Sequence, residues 1–326
     1  MIVGKAQERQ RKIIGAVLVA AIATLAAQSP AADKLRVGNP APSVFAFAAI
    51  EVGIQTQIFL NHGIDAQDVE FVGAAHEQQG LVAGNIDVAL GSGLDMAGIV
   101  KGVPSKAVAV MYGAPRDLCV IVLPNSPIHD PSQLKGKTIA VSGPVSLTAW
   151  VAKELSNRQG WGPNGVALAG VGSLDAMAAQ VFSGNADAAV YATGNAYLLQ
   201  SQGRVRILTT MDTIVPNFLT HVIYASNDLI ARDPDLLRRF LKGWLETIAF
   251  MKAHEDDTLR ITDKLTQLTP ELGRRVYREE MPLFSLDGRF DNNALEVVRR
   301  TFTDLALLNN PPDMNALYTE DFLPSR

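Results

Sequence analysis

Small residues and hydroxyl groups cluster in one short stretch of the chain, Ser142-Gly-Pro-Val-Ser-Leu-Thr148. The stretch follows a predicted strand and opens a predicted helix, so its first backbone N–H groups have no partner within that helix. Such N–H groups, together with the helix dipole, hold small oxyanions. Gly143 allows a ligand to approach closely, and Ser146 and Thr148 add hydroxyl donors. The stretch predicts half of an anion-binding site, and the alternative is an ordinary helix N-cap.

Other loops that follow predicted strands carry further hydrogen-bonding or aromatic side chains. Ligands of open α/β sheets bind in the crevice outside the carboxyl ends of the strands, so these loops are candidates for the rest of the site. Tyr191 offers a ring wall and a phenol donor. For each residue the alternative is ordinary loop chemistry. The candidates outside the Ser142–Thr148 stretch are Ser43, Phe45, Ser92, Gly93, Arg116, Tyr191, Thr193 and Asn195.

Arg116 is the charged residue of greatest interest, because it lies where the chain is predicted to pass from one half of the molecule to the other. A guanidinium at that place can bind a carboxylate or a sulfonate through two parallel hydrogen bonds. The alternative is a surface ion pair with Asp117 or another acid. His76 and His221 are isolated, and we expect them to be loop or core residues rather than ligands.

An internal repeat organises the elements that position these residues. Leu81–Gly102 contains Gly84-Asn85, Asp87 and Ala89, and the same residues return one hundred positions later as Gly184-Asn185, Asp187 and Ala189. In each copy an apolar helix ends at the glycine, which adopts the left-handed backbone without a Cβ penalty. A short strand and a small polar loop follow. The repeat therefore predicts two similar α/β lobes. The alternative is that an ordinary helix-to-strand connection occurs twice by chance.

Strands and helices alternate along most of the chain, which is typical of mostly parallel sheets flanked by helices. The pattern predicts a helix over Phe45–Leu60 and a second strand over Asp68–Ala74. After residue 226 the tail is predicted to be helical. Asp233-Pro234 is an N-cap followed by proline at the first helical position, and Asp291 caps another helix. The apolar stripes of these helices predict core packing.

The first residues are typical of an export signal. Four basic residues precede an uncharged, mostly apolar run over residues 13–27, which is shorter than the ~20 residues that span a membrane. We expect residues 1–27 to be removed, and the alternative is a retained anchor. Their loss removes four basic residues and one acid, so the formal charge of −4 becomes −7. An acidic surface argues against a nucleic-acid partner.

Catalytic and metal-binding motifs are absent from the sequence. Gly91-Ser-Gly93 lacks the third glycine of a dinucleotide fingerprint, and there is no cluster of His and Cys at metal-ligand spacing. Cys119 is the single cysteine, so no internal disulfide forms; its apolar surroundings predict a buried small hydrophobe. We expect neither a metal nor a cofactor.

The order of these parts resembles a family, the periplasmic solute-binding proteins of ABC importers in the branch that includes sulfonate, taurine, nitrate and thiamine-precursor binders. The segments that carry the resemblance are LRVG (35–38), LVAGNIDVALGSG (81–93), LKGKTIAVSGPVS (134–146), VFSGNADAAVY (181–191) and DPDLLRRF (233–240). The LKGK motif with its following serine is fairly specific, whereas each other segment alone is weak.

The resemblance implies a two-lobed periplasmic-binding-protein fold of type II that closes on a solute. The implied divisions are a signal peptide at 1–27, lobe one at 33–115 plus 221–326, and lobe two at 116–220. The implied function is a periplasmic, monomeric binding protein that delivers a small solute to an inner-membrane ABC permease. The residues favour a small organic anion as that solute. An enzyme on the same fold, such as a thiamine-pyrimidine-synthesis protein, and a sensory solute-binding module are the alternatives.

Overall fold

The computed structural model describes residues 31–211 and 217–325. Residues Lys34–Arg326 form one compact unit. The predicted signal peptide, residues 1–27, lies outside the described residues. Within the described part of the chain, no helix is both long enough and apolar enough to cross a membrane.

Two five-stranded sheets form the framework of this unit. The first sheet has the order β2-β1-β3-β10-β4 and the second has the order β7-β6-β8-β5-β9. The strands of the first sheet are β1 (Asp33–Asn39), β2 (Ile64–Glu70), β3 (Val88–Gly91), β4 (Ser105–Tyr112) and β10 (His221–Ser226). The strands of the second sheet are β5 (Leu118–Val122), β6 (Thr138–Val141), β7 (Ala167–Gly170), β8 (Ala188–Ala192) and β9 (Arg206–Thr210).

The chain passes from the first sheet to the second between Tyr112 and Leu118, and it returns to the first sheet at His221. The strands that begin or end at these crossings run against their neighbours: β10 is antiparallel to β3 and β4, and β5 is antiparallel to β8 and β9. Both sheets are therefore mixed, and the predicted α/β class with helices on the sheet faces is confirmed.

The internal repeat corresponds to the central strands of the two sheets. Gly84 and Gly184 both adopt the left-handed backbone, with φ of 70° and 74°, as expected of helix C-caps. Asp87 accepts a hydrogen bond from the backbone N–H of Arg36, and Asp187 accepts one from that of Thr138, both onto Oδ2. Each aspartate thus joins the third strand in the sheet order to the strand beside it, in the same way in both copies.

Helices cover both sheets and form the tail. They are α1 (Phe45–Gln55), α2 (Ile58–Asn61), α3 (Ala74–Val82), α4 (Met96–Val100), α5 (Leu147–Arg158), α6 (Leu174–Phe182), α7 (Thr193–Ser201), α8 (Asn227–Arg232), α9 (Pro234–Ala253), α10 (Glu255–Thr266), α11 (Pro270–Glu280) and α12 (Asn292–Asp304). Short 3₁₀ turns lie at Gly93–Asp95, Pro131–Leu134, Met281–Leu283 and Met314–Ala316.

Two predicted boundaries are wrong. The helix expected over Phe45–Leu60 ends at Gln55, because Gln57 adopts a left-handed backbone with φ of 61° and the chain restarts as α2. The second strand lies at Ile64–Glu70 rather than Asp68–Ala74. It begins directly after Gly63, whose φ of 72° turns the chain out of α2.

The tail packs on the first sheet and reaches the second. The apolar stripe of α9, which includes Phe240, Trp244 and Ile248, is buried as predicted, and Asp233 and Asp291 cap α9 and α12. Helix α10 packs on α1, whereas α11 contacts both α1 beside the first sheet and α7 beside the second. The tail therefore joins the two halves of the molecule.

Candidate functional site

Loops at the carboxyl ends of strands in the first sheet lie against loops at the carboxyl ends of strands in the second sheet. Asn195, at the start of α7, donates its side-chain N–H to the backbone carbonyl of Ser43, 3.1 Å away. On another side, a Cβ placed on Gly73 would lie 3.2 Å from the carbonyl oxygen of Gly172. The loops of the first sheet thus touch those of the second at two places. Among the predicted site residues, Ser43 and Asn195 are brought together directly.

The start of α5 forms a closed network of hydrogen bonds. Ser146 caps the helix by accepting the N–H of Ala149, and its hydroxyl donates to the carbonyl of Gly143 at 2.7 Å. The Thr148 hydroxyl lies 2.9 Å from that of Ser146 and 3.0 Å from that of Ser142. The three hydroxyl groups are brought together as predicted, but they bond to one another and to the cap. Ser146 therefore serves as the helix N-cap, which was the alternative interpretation of this stretch.

Ser92 and Gly93 lie at the equivalent place in the first sheet, in the turn after β3. The backbone N–H and hydroxyl of Ser92 both donate to Asp95 Oδ2, at 2.7 and 3.2 Å. Gly93 donates its N–H to the carbonyl of Leu219, and a Cβ there would lie 2.6 Å from that oxygen. Burial raises the pKa of Asp95, and the two bonds from Ser92 offset part of that rise. The donors of Ser92 and the N–H of Gly93 are therefore already engaged within the protein.

Three further candidates occupy buried positions. Phe45 packs edge-to-face with Tyr277 and Phe284 in the core beside the first sheet. Tyr191 is buried in the core beside β5 and β8, and that burial raises its pKa. Thr193 donates its backbone N–H to the carbonyl of Asp117 at 2.8 Å. All three residues are therefore part of the interior of the molecule.

Arg116 is exposed at the crossing between the sheets, whereas its neighbour Asp117 is buried. Arg116 and Asp117 do not form the ion pair that was the alternative, because Asp117 instead contacts His221. Within the described ranges, no ion pair of Arg116 is present. Its guanidinium is therefore positioned at the surface beside the crossing.

Sequence reasoning missed a group of four buried polar residues, which we call the polar junction: Tyr112, Asp117, His221 and Glu280. His221 Nε2 lies 2.8 Å from Asp117 Oδ2, and the rings of His221 and Tyr112 are 5.3 Å apart. Glu280 ends α11 and accepts a hydrogen bond from the backbone of Gly194. A weak signal was present, since Asp117 and His221 border the two predicted crossings, but His221 was expected to be an ordinary loop or core residue.

Burial dominates the electrostatics of the polar junction. It raises the pKa of Glu280 well above its ordinary value, and the negative charges of Asp117 and Glu279 add to the effect. The pKa of Tyr112 rises for the same reason, with further contributions from Glu280 and Asp117. The phenol and the two carboxyl groups therefore interact with one another, although Glu280 comes from a part of the sequence distant from Tyr112 and Asp117.

A cavity lies beside the crossings rather than among the predicted loops. It has a volume of about 270 Å³ and is bordered by Gly113 and Ala114 on one crossing, Phe218 and Leu219 on the other, and Arg289 of the tail. None of the twelve candidate residues lines it. The loops after β1 and β8 are instead joined directly, by the hydrogen bond from Asn195 to Ser43.

The described residues contain no group of three or more His, Cys, Asp or Glu side chains that could hold a metal ion. Cys119 is buried in β5, and burial raises its pKa to about 12. A thiol with that pKa is almost entirely protonated at neutral pH and is a poor nucleophile. The buried position expected for Cys119 is confirmed.

Comparison with known proteins shows where this architecture recurs. The model of the family described as NMT1/THI5 like matches residues 45–258, more than half of the chain. The riboflavin-binding protein RibY of Chloroflexus aurantiacus is 25% identical over 244 residues. That alignment covers 69% of this chain and 66% of RibY, just under two thirds of the relative's length.

Solved structures share the fold over nearly the whole chain. The alkanesulfonate-binding protein SsuA from Xanthomonas axonopodis pv. citri, bound to MOPS, has a TM-score of 0.73 and 16% identity, and the match covers 88% of this chain and 96% of that one. The desulfurization enzyme DSZB has a TM-score of 0.66 and 17% identity, with 89% and 97% covered. Further periplasmic sulfonate-binding proteins match as well. At these identities the likeness shows a common fold.

Proposed function

Because the chain belongs to the NMT1/THI5-like family, we propose that it is the extracytoplasmic substrate-binding component of an ABC importer. A solute-binding role is supported by the shared fold of sulfonate-binding proteins and by the likeness to a riboflavin-binding protein. The observation that carries the proposal is the contact between the loops of the two sheets, Asn195 on Ser43 and Gly73 on Gly172. Such loops close on a solute in the crevice between them.

The proposed lobes are residues 33–115 with 221–326, and residues 116–220. This division follows the two crossings at 112–118 and 210–221, where the chain changes sheet. A solute that touches loops of both lobes favours the closed arrangement, because only that arrangement makes both sets of contacts. Closure upon the solute then presents one compact shape to the membrane permease, to which a monomer would deliver its cargo.

The proposed solute is a small organic molecule with an anionic end, such as a sulfonate or a carboxylate. The start of α5 supports an anionic end, because its first N–H groups and the helix dipole attract negative charge. Arg116 supports it as well, since its exposed guanidinium lies at a crossing beside the loops. In the proposal, Ser142, Gly143, Ser146 and Thr148 form the second lobe's part of the site, whereas Ser43, Ser92 and Gly93 form the first lobe's part.

The proposed function also requires export of the protein across the membrane. The basic residues and apolar run of residues 1–27 support removal of this segment during export, which would place the mature protein in the periplasm. Mass spectrometry of the protein from its native envelope measures this directly. A mass that includes residues 1–27 would instead identify a retained anchor.

An enzyme on the same fold is the second candidate, and the likeness to the enzyme DSZB is the observation that favours it. The chain's own chemistry counts against it, because Cys119 is buried with its pKa raised to about 12. A non-enzymatic binding role is therefore the proposal. A sensory module that binds the same solutes remains compatible with the fold, and association with a permease rather than a receptor distinguishes the two.

A thermal-shift screen of sulfonates, carboxylates, nitrate, pyrimidines and flavins tests the proposed function. A compound at one hundred times its dissociation constant stabilises the fold by about 2.7 kcal/mol, a shift of several degrees for a chain of this size. Ser146→Ala should weaken binding while changing the ligand-free stability by about 1 kcal/mol, the worth of an N-cap. Arg116→Ala should also weaken binding, and Arg116→Lys should recover only part of the loss. Loss of stability with unchanged affinity would assign Ser146 to the cap alone.

A further inference from the structure

Helix α11 of the tail contacts both proposed lobes. It belongs to the chain segment assigned to the first lobe, and it also packs on α7 of the second. Its attachment to the first lobe is buried. The Tyr277 hydroxyl donates to the carbonyls of Met251 and Lys252 at the end of α9, at 2.7 and 3.2 Å, and the ring packs edge-to-face with Phe45. These contacts fix α11 to the first lobe.

The contact between α11 and α7 begins beside the crossings. Glu280, the last residue of α11, accepts the backbone N–H of Gly194 near the start of α7. Val276, one turn earlier in α11, lies so close that a Cβ on Gly194 would be 3.1 Å from one of its methyl groups. The N–H of Thr193 donates to the carbonyl of Asp117 in the first crossing. This end of the contact is therefore buried and lies next to the place where the chain changes sheet.

Further from the crossings, charged and polar groups make the contact. The Tyr197 hydroxyl donates to Glu279 Oε2 at 2.6 Å. Arg275 Nε lies 3.0 Å from the other oxygen of that carboxylate, and the guanidinium lies 3.6 Å from the centre of the Tyr197 ring. We call Tyr197, Arg275 and Glu279 the clasp. The residue equivalent to Tyr197 in the first copy of the repeat is Ala97, so the repeat itself does not require an aromatic ring here.

The clasp is the part of this contact that separates most easily. Tyr197 lies about one helical turn, or about 5 Å, beyond Gly194, and a rotation about the crossings moves distant points most. Arg275 and Glu279 have 48% and 44% of their side chains exposed, so water replaces Tyr197 at little cost when the helices part. The attachment of α11 to the first lobe is buried and costs more to break. Opening of the lobes would therefore separate Tyr197 from α11.

We propose that the clasp holds the two lobes together before a solute binds, and that Tyr197 thereby raises the affinity for the solute without touching it. This inference rests on the two-lobed arrangement of the proposed function. By stabilising the closed arrangement, the clasp reduces the free energy that the solute must supply to close the lobes. Tyr197, Arg275 and Glu279 are positioning residues in this role.

A distance between the lobes in the solute-free protein tests the clasp. Spin labels are attached to Gln79→Cys and Ala179→Cys, at exposed positions in the two proposed lobes, with Cys119→Ser as background. Pulsed electron resonance then gives the ratio of molecules at short and long distances. Tyr197→Phe should lower that ratio about fivefold or more, because a hydrogen bond to a charged group is lost. Glu279→Gln should lower it as well, because it removes the charge that holds Arg275 in place.

Each variant has a matched control whose contact stays within one lobe. Tyr277→Phe removes a hydroxyl from the same helix, and the bonds of that hydroxyl remain within the first lobe. Glu154→Gln removes a carboxylate that pairs with Arg158 of its own helix, at 2.8 Å, in the second lobe. Both controls should keep the wild-type distance distribution, even where they lower the melting temperature.

Salt provides a second readout that needs no change to the clasp. The Debye length falls to about 3 Å at 1 M salt, which weakens half-exposed charge pairs. Addition of 1 M potassium chloride should therefore shift the labelled protein with an intact clasp towards longer distances. The same salt should shift Tyr197→Phe less, because that variant has already lost the clasp.

The outcomes separate the clasp from the proposed function. An unchanged distribution in Tyr197→Phe, or in Glu279→Gln should the first variant fold poorly, would overturn the clasp, even where a sulfonate, carboxylate or flavin shortens the distance and supports the binding role. Equal opening in the two controls would also overturn it, since the effect would then be general loosening. Failure of every compound in the thermal-shift screen to stabilise the protein would instead count against the proposed function.

Discussion

His221 Nε2 lies 2.8 Å from Asp117 Oδ2, and both side chains are buried. This contact joins the two segments through which the chain crosses between the sheets. The N–H of Thr220 adds bonds to the carbonyls of Tyr112 and Gly113, at 3.1 and 3.0 Å. The crossings are therefore held to each other as a pair. In the proposed two-lobed arrangement, this pair is the place about which one lobe would move relative to the other.

We expect Asp117→Ala to be strongly destabilising, because it leaves His221 buried without its partner. Breaking a buried pair in this way costs about 3–5 kcal/mol. Asp117→Asn should cost clearly less, since the amide oxygen still accepts from His221. Urea unfolding at constant pH measures both values. Asp287→Ala, at an exposed position of the tail, is the control. Equal losses of unfolding free energy for Asp117→Ala and Asp117→Asn would contradict the role of the contact.

Asp68 should make the fold more stable at acidic pH. Burial raises its pKa to about 6, the hydrogen bond from Asn39 opposes that rise, and the charge of Glu51 adds to it. The pKa in the unfolded chain is about 3.9. Between these two values the folded protein keeps a proton that the unfolded chain has lost, so stability falls as the pH rises from about 4 to about 6.

The contribution of Asp68 amounts to about 2 kcal/mol across that window. Asp68→Asn should remove it, so the variant should be more stable than the wild type at pH 7 and not at pH 4. The bond from Asn39 can remain, because the new amide oxygen accepts it. Melting temperatures of both proteins at the two pH values check this. A constant difference between them would show that Asp68 does not titrate in this range.

Cys119 should not react with thiol reagents in the folded protein. Its sulfur is buried and its pKa is raised to about 12, so almost no thiolate is present at pH 8. We expect labelling by a disulfide reagent only when urea unfolds the chain. Rapid, stoichiometric labelling of the native protein would mean an accessible thiol and would revive the enzymatic alternative.

Local sequence patterns predicted the framework well. Gly84 and Gly184 mark helix ends in both halves because only glycine adopts a left-handed backbone easily. Asp233 and Asp291 cap helices because their side chains bond to nearby N–H groups. The break at Gln57 was missed because the apolar pattern continues through it, and a glutamine there carries no local signal for a positive φ.

The candidate site was predicted only in part. The cluster of Ser142, Ser146 and Thr148 follows from residues close in sequence, and the structure brings their hydroxyl groups together. The polar junction depends on pairing between residues about one hundred positions apart, such as Asp117 and His221. No local pattern encodes that pairing, since it arises from the order of the strands. The position of Glu280 is also not encoded locally, because it depends on the packing of α11 in the tail against α7.

The most direct test of the account is a distance between the proposed lobes with and without solute. Gln79 on α3 and Ala179 on α6 are exposed, equivalent positions of the repeat, one in each lobe. Spin labels on cysteines at these positions, with Cys119 replaced by serine, report that distance by pulsed electron resonance. We predict that a compound selected by the thermal-shift screen shortens and narrows the distance distribution. A distribution that no stabilising compound changes would contradict closure of two lobes on a solute.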